Sequence, residues 1–226
     1  MTWINLRQVA LVATDLEATL HDLDAAFGLH VAFRDPGVAT FGLVNAVLPL
    51  GTQFVEVVSP TKEGTAAGRQ LERMGGDGGY MVITHTDDQA PFKARATAMG
   101  IRSAIDADDH GYAIWQLHPG DTGGSFLEID FQPGGEDPNG PWMPAGTAWQ
   151  AAMSTEIVDG ITAVELAAPA DVPARWREIL GQEHFDNAEI RWTEGTRGLV
   201  GVDVHAVDRD RVGDAVTIAG VRFTFV

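Results

Sequence analysis

The strongest constraint on this chain is internal: residues 6–132 repeat at an offset of 72, so that Thr14 answers to Thr86, Asp15 to Asp87, Gly28 to Gly100 and Glu56 to Glu128. A helix cap, a helix stop and a strand carboxylate each recur by chance, but a single offset that fits all of them indicates duplication. In the first copy, LRQVALVA at 6–13 reads as a strand with Gln8, Ala10 and Val12 on one face. Thr14 or Asp15 caps a helix in which Leu16, Leu20, Leu23 and Phe27 recur at spacings of four, three and four, and Gly28 stops it. The runs FGLVNAVLPL and QFVEVVS, parted by Gly51-Thr52, complete a βαβββ unit. Residues 65–74 predict a short connecting helix before the glycine-rich GGDGG, which lacks the lysine and hydroxyl of a phosphate loop.

The second copy predicts a strand at 79–84, a helix capped by Asp87 or Asp88 and closed by Gly100, and returning strands at 112–117 and 125–131. The expected class is α+β, with modules at 5–60 and 78–132 pairing into one domain at 5–132. Residues 133–156, dense in glycine and proline, read as a linker or a wrapping arm. Beyond them, ITAVELA, a helix near 172–180 and strand-like stretches at 189–193, 199–206 and 221–226 suggest a degenerate third βαβββ-like module at 157–226. Thr224 stands where its alignment places a glutamate, so this module is expected to be structural, covering a sheet edge or forming a subunit contact.

Composition narrows the partners. A formal charge of −17 over 226 residues repels phosphate backbones and anionic lipid, which argues against nucleic acid and membrane partners. With no cysteine, any metal must use oxygen or imidazole ligands. The residues from Met1 to Gln8 carry no targeting pattern, and no run approaches about 18 apolar residues, so a cytoplasmic protein is expected.

Glu56 in FVEVV and Glu128 in FLEIDF each have large apolar neighbours on both sides. Phe54, Glu56 and Val58 share one strand face, as do Phe126, Glu128 and Asp130, and both faces look buried. A carboxylate there must be paired, hydrogen-bonded, metal-bound or at the border of a wet cavity. The alternatives are a glutamate on a solvated face or one paired with Arg7 or another arginine. His118, in the HPGDTGG turn, reads first as a turn-former, while His85 and His110 read as surface residues. Arg69 could hold a substrate anion, or be solvated or paired with Glu72 or Asp77. Asn45 and Trp115 lie on strands expected to line the cavity and are candidates for substrate contact.

The duplicated unit, the QVAL strand before TDLEATL, FVEVVSP, and LHPGDTGGSFLEID at 117–130 resemble the vicinal oxygen chelate superfamily, which includes glyoxalase I, methylmalonyl-CoA epimerase, extradiol dioxygenases and bleomycin-resistance proteins. The resemblance covers residues 5–132 and implies a curved mixed sheet around a cavity. It also implies a ligand set from the first and last strand of each module, which falls on Gln8, Glu56, Tyr80 and Glu128. Tyr80 departs from the usual histidine. The remaining oxygen donors, Gln8, Glu56 and Glu128, favour magnesium, manganese or calcium over zinc, nickel or iron. Without a histidine pair at these positions, extradiol dioxygenase activity is rejected. Two functions follow from the resemblance. One is a metal-assisted lyase or isomerase moving a proton on a small carbonyl or carboxylate compound, with Glu56 or Glu128 as ligand or base and Tyr80 as a proton donor. The other is a metal-free protein that binds or sequesters a small molecule. His118 joins Asn45, Trp115 and Arg69 as a candidate substrate contact, and a homodimer through sheet edges is open to either function.

Overall fold

A computed structural model describes residues 2–226. The duplicated half forms one seven-stranded, strongly curled sheet. Its strands are β1 (Ile4–Val12), β2 (Leu43–Leu50), β3 (Gln53–Pro60), β4 (Gly78–Thr86), β5 (Ser103–Asp109), β6 (Tyr112–Leu117) and β7 (Phe126–Asp130), in the order β2-β3-β1-β4-β7-β6-β5. In each module the first strand pairs in parallel with the last, β1 with β3 and β4 with β7. The modules join where β1 and β4 run antiparallel, with Val9 opposite Val82. Because side chains alternate along a strand, Val9, Leu11, Val55, Val57, Val82, Leu127 and Ile129 point to the back of the sheet. There they pack with α1 (Leu16–Phe27) and α3 (Ala90–Ala98). Asp15 caps α1 by accepting from the Ala18 N–H, and Gly28 ends it at φ 66°. The connecting helix α2 (Ala66–Met74) lies on the other face, burying Ala67 and Leu71 beside the Tyr80 and Phe54 rings.

Residues 157–226 form a second sheet of β8 (Val158–Ala168), β9 (Glu189–Glu194), β10 (Gly198–Ala206), β11 (Ala215–Ile218) and β12 (Val221–Phe225), in the order β11-β12-β10-β8-β9. This order repeats the inner five strands of the first sheet. β10 is parallel to β12 and antiparallel to β8, β8 is parallel to β9, and Val202 faces Val164 as Val9 faces Val82. The expected degenerate module is thus built in two pieces. One is a βαβ piece containing α4 (Val172–Leu180), and the other is a three-stranded piece whose helix has shrunk to a 3-10 turn at Arg209–Arg211. It packs on the back of the first sheet rather than at an edge, through Leu199, Val202, Val204 and Phe223. The approach is close enough that a Cβ on Gly79 would lie 2.2 Å from the Leu199 carbonyl oxygen.

Two strands escape the periodicity argument. β5 is an exposed edge strand of sequence SAIDADD, and its acidic residues remove the apolar alternation that marks a half-buried strand. β11 is only four residues long. No helix among the described residues is long and apolar enough to cross a membrane.

Candidate active site

The face of the curled sheet opposite the helices α1 and α3 gathers one set of polar side chains inside an apolar lining. Two bulges shape it. In the β1–β4 ladder the register shifts between Leu6 and Gln8, leaving Arg7 unpaired, and again between Ala10 and Leu11, leaving Tyr80 unpaired. Each bulge turns two consecutive side chains to the cup face: Arg7 with Gln8, and Tyr80 with Met81. The same register relates Gln8, opposite Phe54, to Met81, opposite Phe126. The repeat offset is therefore 73 in the first strands, although it is 72 at Glu56 and Glu128. Gln8 answers to Met81 and Arg7 to Tyr80, which corrects the expected Gln8–Tyr80 equivalence.

Glu56 sits on β3 and is 8% exposed. Gln8 Nε2 donates to its Oε2 at 2.8 Å, and Asn45 Nδ2 donates to its Oε1 at 2.7 Å. Burial outweighs these two donors, and with the Glu128 charge it raises the Glu56 carboxyl to about 7. Glu128 on β7, 6% exposed, accepts from Gln116 Nε2 on β6 and shares a hydrogen bond with Asp130. Tyr112 donates its hydroxyl to Asp130, which also accepts from the Trp115 backbone N–H. Burial raises both carboxyls of the Glu128–Asp130 pair, and at Asp130 the neighbouring Glu128 charge adds to it. The Tyr80 phenol is pushed up to about 12 by burial and by the charges of Glu56 and Glu128, and its ring packs edge-on against Phe126.

The arrangement gathers Gln8, Asn45, Glu56, Tyr80 and Glu128 on one face, and it adds Asp130, Tyr112 and Gln116. Alternation along β6 puts Tyr112 and Gln116 on this face and Trp115 on the other. Trp115 belongs to the back core, with its indole N–H donating to Ser103 Oγ, so it is not a cup-lining residue. Arg69 is exposed and bonds the Gly64 carbonyl of its own helix start. His118 holds its turn, its Nδ1 accepting from the Gly120 N–H at 3.1 Å. His85, expected at the surface, is buried on the cup face beneath residues 133–156 and donates Nε2–H to the Gly135 carbonyl.

Residues 133–156 are the wrapping arm, and they roof the cup. Trp142 and Trp149 are almost fully buried there: Trp142 stacks on Phe54 and meets Tyr112 edge-on, while Trp149 meets Phe54 edge-on. The Trp142 indole N–H donates to Gln8 Oε1 at 2.8 Å. An indole nitrogen can only donate, so it fixes the Gln8 amide with its oxygen toward the strap and its NH2 toward Glu56. The Asn45 oxygen is similarly taken by the Asp35 N–H at 2.8 Å. Met81 offers a thioether where the register calls for the fourth ligand. Among the described residues, no three His, Cys, Asp or Glu side chains are grouped to hold an ion. As packed, the residues do not fit the hard divalent ion that the superfamily resemblance implies.

Solved structures share this architecture. A methylmalonyl-CoA epimerase of Streptomyces coelicolor in complex with 2-nitronate-propionyl-CoA matches with TM-score 0.50 and 22% identity, over 57% of this chain and 96% of that one. A methylmalonyl-CoA epimerase in complex with methylmalonyl-CoA and NH4+ gives 0.51 and 22%, over 57% and 95%. A hypothetical protein of Bacillus halodurans C-125 gives 0.50 and 15%, over 57% and 94%. At these identities the likeness shows the fold alone, and no curated protein matches the chain. The model of the glyoxalase-like domain matches residues 9–217, spanning both sheets. The chain belongs to the glyoxalase-like domain family, within the vicinal oxygen chelate superfamily.

Proposed function

We propose that this protein is an isomerase-type enzyme that moves a proton at a carbon next to a carbonyl, with Glu56 and Glu128 as its acid–base pair. The observation that carries the reading is Glu56: a buried carboxyl raised to about 7, clamped by two amides and close enough to Glu128 to feel its charge. A general base works best when its pKa lies near the working pH, and burial has moved Glu56 there. In the forward step Glu56 takes the proton from carbon. The electron pair of the C–H bond passes into an enolate, whose oxygen accepts a hydrogen bond from the proton held by Glu128 and Asp130 or from the Tyr80 hydroxyl. Return of a proton from Glu128 to the opposite face gives the epimer, and its return to a neighbouring carbon gives an isomer. None of these steps passes through a metal ion.

The likeness to methylmalonyl-CoA epimerases supports a carbonyl substrate and makes methylmalonyl-CoA a reasonable first compound. The test is exchange of the carbon-bound proton in D2O, followed by NMR, for methylmalonyl-CoA and a set of small 2-oxo acids, with and without manganese. The reading expects loss of the proton signal without added metal, slowed at least about a hundredfold by Glu56→Gln and by Glu128→Gln. Exchange that requires manganese would restore the metal-assisted reading. The aromatic lining of Phe54, Tyr112 and Trp142 favours a second reading, a metal-free binder of a planar small molecule, for which ligand binding without any exchange is the expected result.

A further inference from the structure

Arg7 is the one cation on the cup face among the described residues that the proton-transfer chemistry leaves unused and that stays charged at neutral pH. It is 2% exposed and lies on the cup face beside Gln8, because the β-bulge turns both side chains the same way. Its Nη1 donates to the carbonyls of Thr52 at 2.6 Å and Pro138 at 2.9 Å. Nε and Nη2 are buried with no hydrogen-bond partner among the described residues, and the nearby Asp137 charge acts on the guanidinium without bonding either nitrogen. Burial lowers it only to about 10, so it remains a cation at neutral pH. A buried cation with unmet donors is costly to fold around, and a fork of free N–H groups fits a carboxylate in two-point fashion.

Residues 133–156 supply two of the three aromatic rings around Arg7. The guanidinium carbon lies 5.6 Å from the centre of the Trp142 ring and 5.8 Å from that of Trp149, with Phe54 below at 5.2 Å. The Trp142 indole therefore bridges the cup, its N–H on Gln8 next to Glu56 and its face on Arg7. It occupies the place of a small planar molecule that would touch the base at one end and the cation at the other.

We propose that Arg7 is an anchor for the carboxylate of a small substrate and that residues 133–156 are a lid, with Trp142 and the Pro138 carbonyl holding the ligand's place until it binds. The substrate class is then a carbonyl compound bearing its own carboxylate, whose carboxylate end, the part that enters the cup, is no longer than the indole it displaces. The position of the reacting carbon near Glu56 rests on the proton-transfer reading, whereas the carboxylate site does not.

The test uses malonate as the probe and its neutral diamide as the control, in calorimetric titrations of the full chain. Malonate is expected to bind Trp142→Ala at least tenfold more tightly than the wild type. Adding Arg7→Met should weaken that binding at least tenfold, and adding Arg7→Lys should weaken it less. The diamide should bind neither form. Hydrogen exchange of residues 133–156 in the wild type gives a readout that needs no Trp142 variant: millimolar malonate should speed it, and should leave it unchanged in Arg7→Met. Malonate binding indifferent to Arg7, equal binding of the diamide, or a strap whose exchange ignores malonate would each overturn the proposal. Arg7-dependent binding with no proton exchange on any substrate would instead overturn the proton-transfer reading and leave the anchor standing. Proton exchange that proceeds in Arg7→Met with an unchanged KM would remove the anchor alone.

Discussion

Replacing Glu56 by glutamine tests the electrostatics of the cup through stability rather than through activity. Burial raises the folded carboxyl to about 7 from the ordinary glutamate value of 4.5, so the native state holds this proton more tightly than the unfolded chain. Below about pH 4.5 both states are protonated and the group contributes its full stability; as pH rises through 7 the unfolded chain releases the proton first and that stability is lost. At about 1.4 kcal/mol per unit, the loss between about pH 5 and about pH 8 comes to about 2.5 kcal/mol. Glu56→Gln abolishes this term. It also introduces a fixed mismatch, because Trp142 locks the Gln8 amide and the Asp35 N–H locks that of Asn45, so both present N–H groups to the new side chain. One donor facing a donor costs about 1–3 kcal/mol whatever the pH. Urea unfolding should therefore find the variant less stable near pH 5, with the gap to the wild type shrinking or reversing by about 2.5 kcal/mol as the pH is raised to about 8. A gap constant to within about 0.5 kcal/mol over that range would show that Glu56 titrates as an ordinary carboxylate and would refute the reasoning.

Three further outcomes follow from packing. Gly79→Ala drives a Cβ against the Leu199 carbonyl, a backbone atom that cannot rotate away, and should cost about 1–3 kcal/mol in urea unfolding; an effect near zero would mean that the second sheet is not seated on β4. Tyr112→Phe removes a buried hydroxyl that donates to Asp130 and should cost about 1–3 kcal/mol, whereas a neutral result would place the Asp130 carboxyl in contact with water. Trp142→Ala empties the roof of the cup and should cost about 3–5 kcal/mol, measured the same way, with a cost below about 1 kcal/mol contradicting a packed strap.

The duplication and the two glutamates were legible because strand alternation and a constant offset are properties of sequence. The slip to 73 in the first strands was not, since a bulge adds an unpaired residue without changing composition, and Arg7 and Tyr80 look like ordinary members of their strands. Trp115 falls on the opposite face because only Tyr112 and Gln116, four residues apart on β6, identify which side meets Glu128. Between the linker and the wrapping arm that glycine and proline left open, two tryptophans within eight residues carried the deciding signal, because they have too much apolar surface to remain in water. His85 was read as exposed because the strap that buries it arrives 50 residues later, through Gly135. Nothing in local periodicity reports such a contact.

The central claim, that two modules deliver carboxyls to one buried cup that raises both and brings Glu56 to about 7, is tested most directly by titrating the side-chain carboxyl carbons by NMR in the wild type, Glu56→Gln and Glu128→Gln. The account predicts a resonance with a midpoint at about 7 that is lost in Glu56→Gln and shifts to lower pH in Glu128→Gln, because the neighbouring charge is gone. If every carboxyl in the wild type titrates below about 5, or the Glu56 midpoint ignores Glu128, the two glutamates do not share a site.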